Sequence, residues 1–403
     1  MNIGLITPYF PDEHTMDSGI ANHYQLLAQS LAAGGNKVIV MHVRGRYENE
    51  HESFSSHAPV DNVTVLTFKV KVPAAVYRLF KSKWAVIDLA LKLQCMLVTA
   101  KALNKIVKQY HIDVIEASSY FSLCYFTLFK KTKPPIAIRV STTFSQMMKE
   151  HYPFKSRGMD LIAAMEIAFI RKSLYLLTHA KSHGLELERL YGINAARFTI
   201  IPHGVKLPML DRESDNNDAT VKILYTGRFE YRKGSDVLLA AIPLVLKQNQ
   251  NILFELIGND PGNDYQTKFE HDNDDRVINK VFFRGRTGNT VLADAYNNCD
   301  IFVAPSRYES FGIIFIEAMS YGKAVIGCRV GGVPDIITDN YNGLLADAGD
   351  AQSLANKIIL LVNDKVLRKN LGLSARKTVE DKFTGEQLAA NSLKHYQTLL
   401  VKK

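Results

Sequence analysis

Cysteine is scarce and scattered. There are four in 403 residues, Cys95, Cys124, Cys299 and Cys328, with no C-x-x-C pair among them. That spacing argues against a disulfide framework and against zinc, and fits buried thiols of a cytosolic protein. Glycine (24) and proline (13) are too few for a low-complexity chain, and no internal repeat is visible. Long apolar runs are missing as well. The best candidate, within residues 71–109, is interrupted by Asp88, Lys92 and Gln94, which excludes a spanning helix there. The start, MNIGLITPYF, has no basic residues, long apolar core or small-residue cleavage site, so it reads as a buried strand and not as a leader.

What is present is a soluble globular composition, 47% hydrophobic and 22% charged, over a length that predicts two domains. Positive charge is unevenly placed. Residues 1–210 hold 25 Lys and Arg against 15 Asp and Glu, which leaves 24 against 25 for the rest of the totals of 49 and 40. The excess lies in the first half and suits an anionic surface or partner as well as a plain solvated face. Residues 71–109 concentrate it, with eight Lys/Arg and one acid. Apolar residues recur there at helical spacing beside Leu79, Phe80 and Trp84. Such a helix either lies on an anionic bilayer or packs on its own domain.

Strand and helix patterns alternate. Residues 2–7 predict a strand, followed by a loop with Ser18-Gly19, a helix near 20–33, and the strand KVIVMHV. VTVLTFKV, DVIEAS, IAIRVST and TIIPHGV continue the first half. The polar stretch DRESDNNDAT then reads as a linker, and the pattern restarts with VKILYTG, the helix SDVLLAAIPLVLKQ, ILFELIG, KVFFRG, DIFVAPS and KAVIGCRV. The expected class is α/β, with two doubly wound parallel-sheet domains facing a cleft and ligands bound beyond the strands' carboxyl ends. The expected boundaries are 1–205, a linker at 206–220, 221–385, and a terminal helix at 386–403.

Two stretches carry chemistry. TGRFEYRKGSDVLLAAI (226–242) puts Arg228 and Lys233 in a glycine-bounded loop between a strand and a helix, an anion site suited to a diphosphate. APSRYESFGIIFIEAMSYG puts Glu309 before a helix that starts near Gly312, and Glu317 in its second turn. Amides around Ser310 to Ile313 then face the ligand, and Glu317 is placed to reach a ribose diol.

These motifs resemble glycosyltransferase family 4, retaining enzymes of the GT-B fold that use nucleotide sugars. Glu309 and Glu317 match the family's E-x7-E, and Gly227-Arg228 with Lys233-Gly234 match its G-R-x4-K-G loop. GGVPDIITDNYNGLLADAGD, IIPHGV and SGIANHYQLLAQSLAAGGNKVIV resemble its other segments. The resemblance implies that Arg228 and Lys233 bind the donor diphosphate, and that Glu317 holds the ribose. It also implies that Glu309, Ser310, Phe311 and Gly312 hold the transferred sugar, and that Gly19 lets the first loop approach the phosphates. It implies a hexosyl-type transferase with no metal and no other cofactor, acting in cell-surface polysaccharide or lipopolysaccharide synthesis on a glycan or lipid-linked acceptor. The expected location is cytoplasmic, in peripheral contact with an anionic membrane and without nucleic acid.

Two positions depart from the family pattern. IAIRVSTTF carries Arg139, Ser141 and Thr142 where many members have a histidine, so Ser141 or Thr142 either bonds the sugar or caps a turn. His203 stands in place of the usual asparagine of a P-N-G turn and reads as a turn residue. DND at 272–274 imitates a metal motif but sits in a polar loop. The competing functions are a nucleotide-sugar epimerase of similar fold, a glycosidase using both glutamates, and a catalytically weak membrane-assembly partner.

Overall fold

The computed structural model describes residues 1–11, 19–46, 54–72, 74–80, 84–128, 134–151, 157–209 and 220–401. The loop before Gly19 and most of the expected linker, residues 210–219, fall outside them, as does the Trp84 side chain. The chain divides into two compact units. One is Met1–Gly204 with Gly385–Lys403, and the other is Val205–Thr384.

The first unit is built on eight strands: β1 (Asn2–Thr7), β2 (Lys37–Arg46), β3 (Phe54–Val60), β4 (Val63–Lys71), β5 (Val114–Ser118), β6 (Ile136–Arg139), β7 (Tyr175–Thr178) and β8 (Phe198–Ile200). Their order is β3-β4-β2-β1-β5-β6-β7-β8. All pairs are parallel except β3 with β4, a hairpin at the edge. The central strands are buried on both faces, so they appear in sequence as unbroken apolar runs. β3 is exposed along almost its whole length, which is why no apolar pattern announced it.

The basic segment 71–109 resolves into helices Ala74–Phe80 and Trp84–Tyr110. The longer one turns Leu91, Cys95, Leu103 and Ile106 into the same core cluster as Met41, Val43 and Val70. A β-carbon on Gly45 would lie 2.3 Å from Leu91 Cδ2, so that strand position has no room for a side chain. The apolar stripe of the long helix is thus spent on its own domain. Leu79, on the short helix, remains 74% exposed. Among the described residues no helix is long and apolar enough to cross a membrane.

Helix Gly385–Val401 belongs to this unit and packs on helix Gly19–Ala33, with Leu388, Tyr396 and Leu399 joining Tyr24, Leu27 and Leu31. Tyr396 Oη donates to Glu116 Oε2 at 2.7 Å. Glu116 also accepts from Arg139 Nε at 2.6 Å and Nη2 at 3.1 Å, and Arg139 Nη1 donates to Ile201 O at 3.0 Å. A buried ion pair needs this degree of satisfaction to offset its desolvation.

The second unit holds β9 (Val221–Thr226), β10 (Ile252–Ile257), β11 (Val281–Gly285), β12 (Ile301–Val303), β13 (Ala324–Cys328) and β14 (Leu344–Ala346). They are parallel, in the order β11-β10-β9-β12-β13-β14. This is the doubly wound order in which the direction of winding reverses between the first and fourth strands. The reversal point here lies between β9 and β12. Helix Ser235–Gln248 covers one face through Leu238, Ile242 and Val245, packed on Ile223, Phe254 and Leu256.

Candidate active site

The two sequence motifs meet where the winding reverses. Loop 227–234 leaves the carboxyl end of β9 and loop 304–312 leaves that of β12. Lys233 Nζ donates to Glu309 Oε1 at 2.5 Å across 76 residues of chain, and Ser306 Oγ donates to the same oxygen at 3.0 Å. Burial pushes the Glu309 carboxyl up, but the Lys233 and Arg232 charges, with these hydrogen bonds, outweigh it and hold the group below the usual carboxylate range.

Both loops are fixed from several sides. Gly234 is left-handed (φ 68°), and a β-carbon there would sit 2.0 Å from Pro305 O, so the first loop lies directly on the second. Arg307 N donates to Arg232 O at 2.8 Å. The Arg307 guanidinium forks onto Asp236 at 2.6 and 2.7 Å and stacks 3.8 Å from the Tyr231 ring centre. From beneath, Tyr225 Oη donates to Arg228 O at 3.1 Å, and Glu230 N donates to Ser235 Oγ at 3.2 Å. On the far side Gly332 N donates to Glu309 O at 2.8 Å, and a β-carbon on Gly331 would lie 1.9 Å from that oxygen. The GGVP turn is therefore the backing plate of the Glu309 loop.

Helix Ile313–Ser320 begins at Gly312, which caps it with φ 106°. Its first-turn N–H groups have few acceptors inside the helix and lie at the reversal point beside Ser310 and Phe311. Glu317 is half-buried in the second turn. Burial pushes its carboxyl above the usual carboxylate range, partly offset by Tyr296, whose Oη donates to Glu317 Oε2 at 3.0 Å and lies 3.0 Å from Thr226 Oγ1. The two glutamates thus stand in different surroundings, one ion-paired and one held by a phenol.

The structure brings Lys233 and Glu309 into contact and carries Ser310, Phe311, Gly312 and Glu317 on the same loop and helix. Arg228 is on the neighbouring loop, 64% exposed, with Glu230 Oε1 at 3.4 Å. Gly19 opens helix Gly19–Ala33 of the first unit. Sequence reasoning missed Ser306, Arg232, Tyr296 and the Gly331-Gly332 backing. Ser306 lies three residues before Glu309, within reach of inspection. Tyr296 gives no signal, because its role depends on a contact made across 21 residues.

Other expectations shift. Arg139 is a buried partner of Glu116, and Thr143, two residues after Ser141, caps the following turn. Thr143 N donates to Gln146 Oε1 at 2.8 Å while Gln146 N donates to Thr143 Oγ1 at 3.2 Å, a reciprocal capping box. His203 is not a solitary turn residue. Its Nδ1 is 2.8 Å from His23 Nδ1, and its ring stacks on His179, which stacks on His183. Asp274 of the DND triplet accepts from Arg276 N and Val277 N as a helix cap. Among the described residues, no group of three His, Cys, Asp or Glu is placed to hold a metal ion.

Family models divide the chain as the two units do. Residues 18–207 match the model described as Glycosyltransferase Family 4, and residues 209–378 match Glycosyl transferases group 1. The whole chain superposes on sucrose-phosphate synthase from Thermosynechococcus elongatus with a TM-score of 0.74, at 21% identity and covering 100% of each chain. HepE from Anabaena, in complex with UDP and glucose, superposes with a TM-score of 0.68 at 16% identity over 99% of this chain and 100% of that one. Such likeness, joined to the two parallel sheets, shows the GT-B fold, and the two family models mark the chain as a glycosyltransferase. Within that class the chain belongs to the family 4 type. An uncharacterised glycosyltransferase of Methanocaldococcus jannaschii is 34% identical over 203 residues, which is half of this chain and 54% of that protein.

Proposed function

We propose that the chain is a retaining, hexosyl-type glycosyltransferase that takes its sugar from a nucleoside-diphosphate donor. The observation that carries this reading is the Lys233–Glu309 contact at the reversal point, which joins a cationic loop to a carboxylate loop and a helix start. Arg228 and Lys233 hold the diphosphate and stabilise the charge that builds there as the sugar–phosphate bond breaks. Glu309, Ser310 and the amides of Phe311 and Gly312 hold the sugar, Glu317 takes the ribose, and Gly19 is the residue whose lack of a side chain permits close approach to the phosphates. An acceptor oxygen attacks the anomeric carbon from the face the diphosphate leaves. The anomeric C–O bond to phosphate breaks, the new C–O bond forms, and the acceptor proton passes to the departing phosphate oxygen. Cationic side chains carry the charge, and no metal ion is assigned a step.

The acceptor is a glycan or lipid-linked glycan of cell-surface polysaccharide or lipopolysaccharide synthesis, reached through peripheral contact with an anionic membrane. The basic excess of the first half and the exposed Leu79 beside Arg78 support that contact, which falls to helix Ala74–Phe80 now that the longer helix is packed inward. The test is incubation with labelled nucleotide sugars and a lipid-linked acceptor in anionic vesicles, with and without EDTA. Transfer with retained anomeric configuration, undiminished by EDTA, and co-sedimentation at low salt are expected. Epimerised donor, or an unconsumed donor, sinks the transferase reading.

A further inference from the structure

The second unit holds a groove that none of these roles uses. It runs between helix Ser235–Gln248 and helix Asp264–Asp272 with a volume of about 640 Å³, inside the range of roughly 300–1,000 Å³ typical of small-molecule sites. Tyr231 and Tyr265 stand in its walls, and Phe269 is buried beneath. Tyr231 remains 62% exposed although the Arg307 guanidinium stacks on it. An aromatic ring kept this open is an available stacking surface with a polar tip.

The helix wall contributes an acceptor of its own. Pro243 sits inside helix Ser235–Gln248 and has no N–H, so the Leu239 carbonyl lacks its helical donor. Both residues line the groove, with the small, exposed Ala240 between them. The remaining polar groups are Asp236, Asp264, Asp272, Asn273 and Lys268. With Asp236 forked onto Arg307, Asp264 and Asp272 still outnumber the single ammonium of Lys268, a balance that disfavours phosphates and acidic polymers. These carboxylates accept hydrogen bonds from hydroxyls, as the Leu239 carbonyl and the Asn273 amide oxygen do. Flat apolar faces beside carboxylates and amides match a pyranose ring, whose C–H face stacks on an aromatic ring while its equatorial hydroxyls donate at the rim.

We propose that this groove binds a neutral oligosaccharide, as a glycan site that abuts the donor loop 227–234 at Tyr231. Tyr231 and Lys233 share the short turn Tyr231–Lys233, so an occupant stacked on Tyr231 also steadies the residue that faces Glu309.

Binding is read on the full chain, without donor and without turnover, so the outcome is independent of the reaction proposed above. Maltohexaose and cellohexaose serve as neutral probes and hexagalacturonate as the acidic control, by titration calorimetry and ligand-observed NMR. At least one neutral probe is expected to bind, and the acidic one to bind at least tenfold more weakly. Ala240→Trp, at an exposed helix position, fills the groove and is expected to raise Kd at least tenfold with an unchanged melting temperature. Tyr231→Ala is the second variant and removes the stacking surface, with the same expected loss. Absence of binding by both neutral probes, preference for hexagalacturonate, or wild-type affinity in either variant overturns the proposal.

Discussion

Arg228 and Lys233 carry the same charge on the same loop, yet they stand in opposite energetic positions. Arg228 is mostly exposed and reaches Glu230 only at 3.4 Å. Such a surface pair contributes at most about 1 kcal/mol. Lys233 faces a Glu309 carboxylate whose side chain is 9% exposed. Removing one member of a buried pair leaves the other charged and unsatisfied, at a cost on the order of 3 kcal/mol. Arg228→Ala is therefore expected to lower transfer by roughly 100-fold at an unchanged melting temperature. Lys233→Ala should lower both. Glu309→Gln keeps an acceptor for Ser306 and Lys233 while losing the charge, so it should abolish most transfer and still fold. Equal melting temperatures for Arg228→Ala and Lys233→Ala, or near-normal turnover in Glu309→Gln, would overturn the site assignment.

At the scale of elements, the active loops depend on glycines that no catalytic motif contains. Gly331 has φ 47°, and a β-carbon there would overlap the Glu309 carbonyl. Gly331→Ala must therefore push the Glu309 loop away from Lys233. A displacement near 1 Å is enough for a loss of roughly 100-fold. The expected result is a folded protein with depressed kcat, measured against donor KM. Wild-type kcat would show that the GGVP turn does not position Glu309. The same scale explains what the sequence could convey. AVIGC is buried throughout and VKILYT from Ile223 onward, so their composition alone identifies them as strands. Helix Ser235–Gln248 begins at the expected Ser and ends at the expected Gln. β3 was illegible because it is exposed and hence polar, and β14 because three residues hold no period. In the site, the spacing of Glu309 and Glu317 and the bracketing of Lys233 by glycines were visible. The Tyr296 phenol and the Gly331 backing were not, because they act through contacts that local spacing does not encode.

At the scale of the whole molecule, the first unit buries ionisable groups that respond to pH in opposite directions. Burial, with the Arg139 charge, lowers His23 to about 4, and burial alone lowers His183 to about 3. His203 is driven well below its ordinary 6.5, first by burial and then by the neighbouring His23. These rings stay neutral when folded, while in the unfolded chain they bind protons below about 6.5. Their contribution is complete above that pH and is lost as the pH falls toward 4. Glu166 behaves oppositely. Burial raises it to about 7, against the hydrogen bonds it accepts from Phe144 N and Ser119 Oγ and the nearby Lys92 charge. It holds a proton in the folded state between its ordinary 4.5 and about 7, where the unfolded chain releases it, so its contribution falls as the pH rises through that window. Between pH 4.5 and 6.5 the histidines and Glu166 therefore oppose each other. Each proton is worth about 1.4 kcal/mol per pH unit. Glu166→Gln should steepen the gain of stability with pH by up to that amount, and His183→Gln should flatten it by a similar amount. A chain with two units does not unfold as one transition, so the probe must report on the first unit alone. Trp84 is the only tryptophan and lies in that unit, so its fluorescence in urea titrations at pH 4.5, 5.5 and 6.5 isolates the effect. Parallel stability–pH curves for wild type, Glu166→Gln and His183→Gln would show that these groups are not held in the protonation states that their burial imposes.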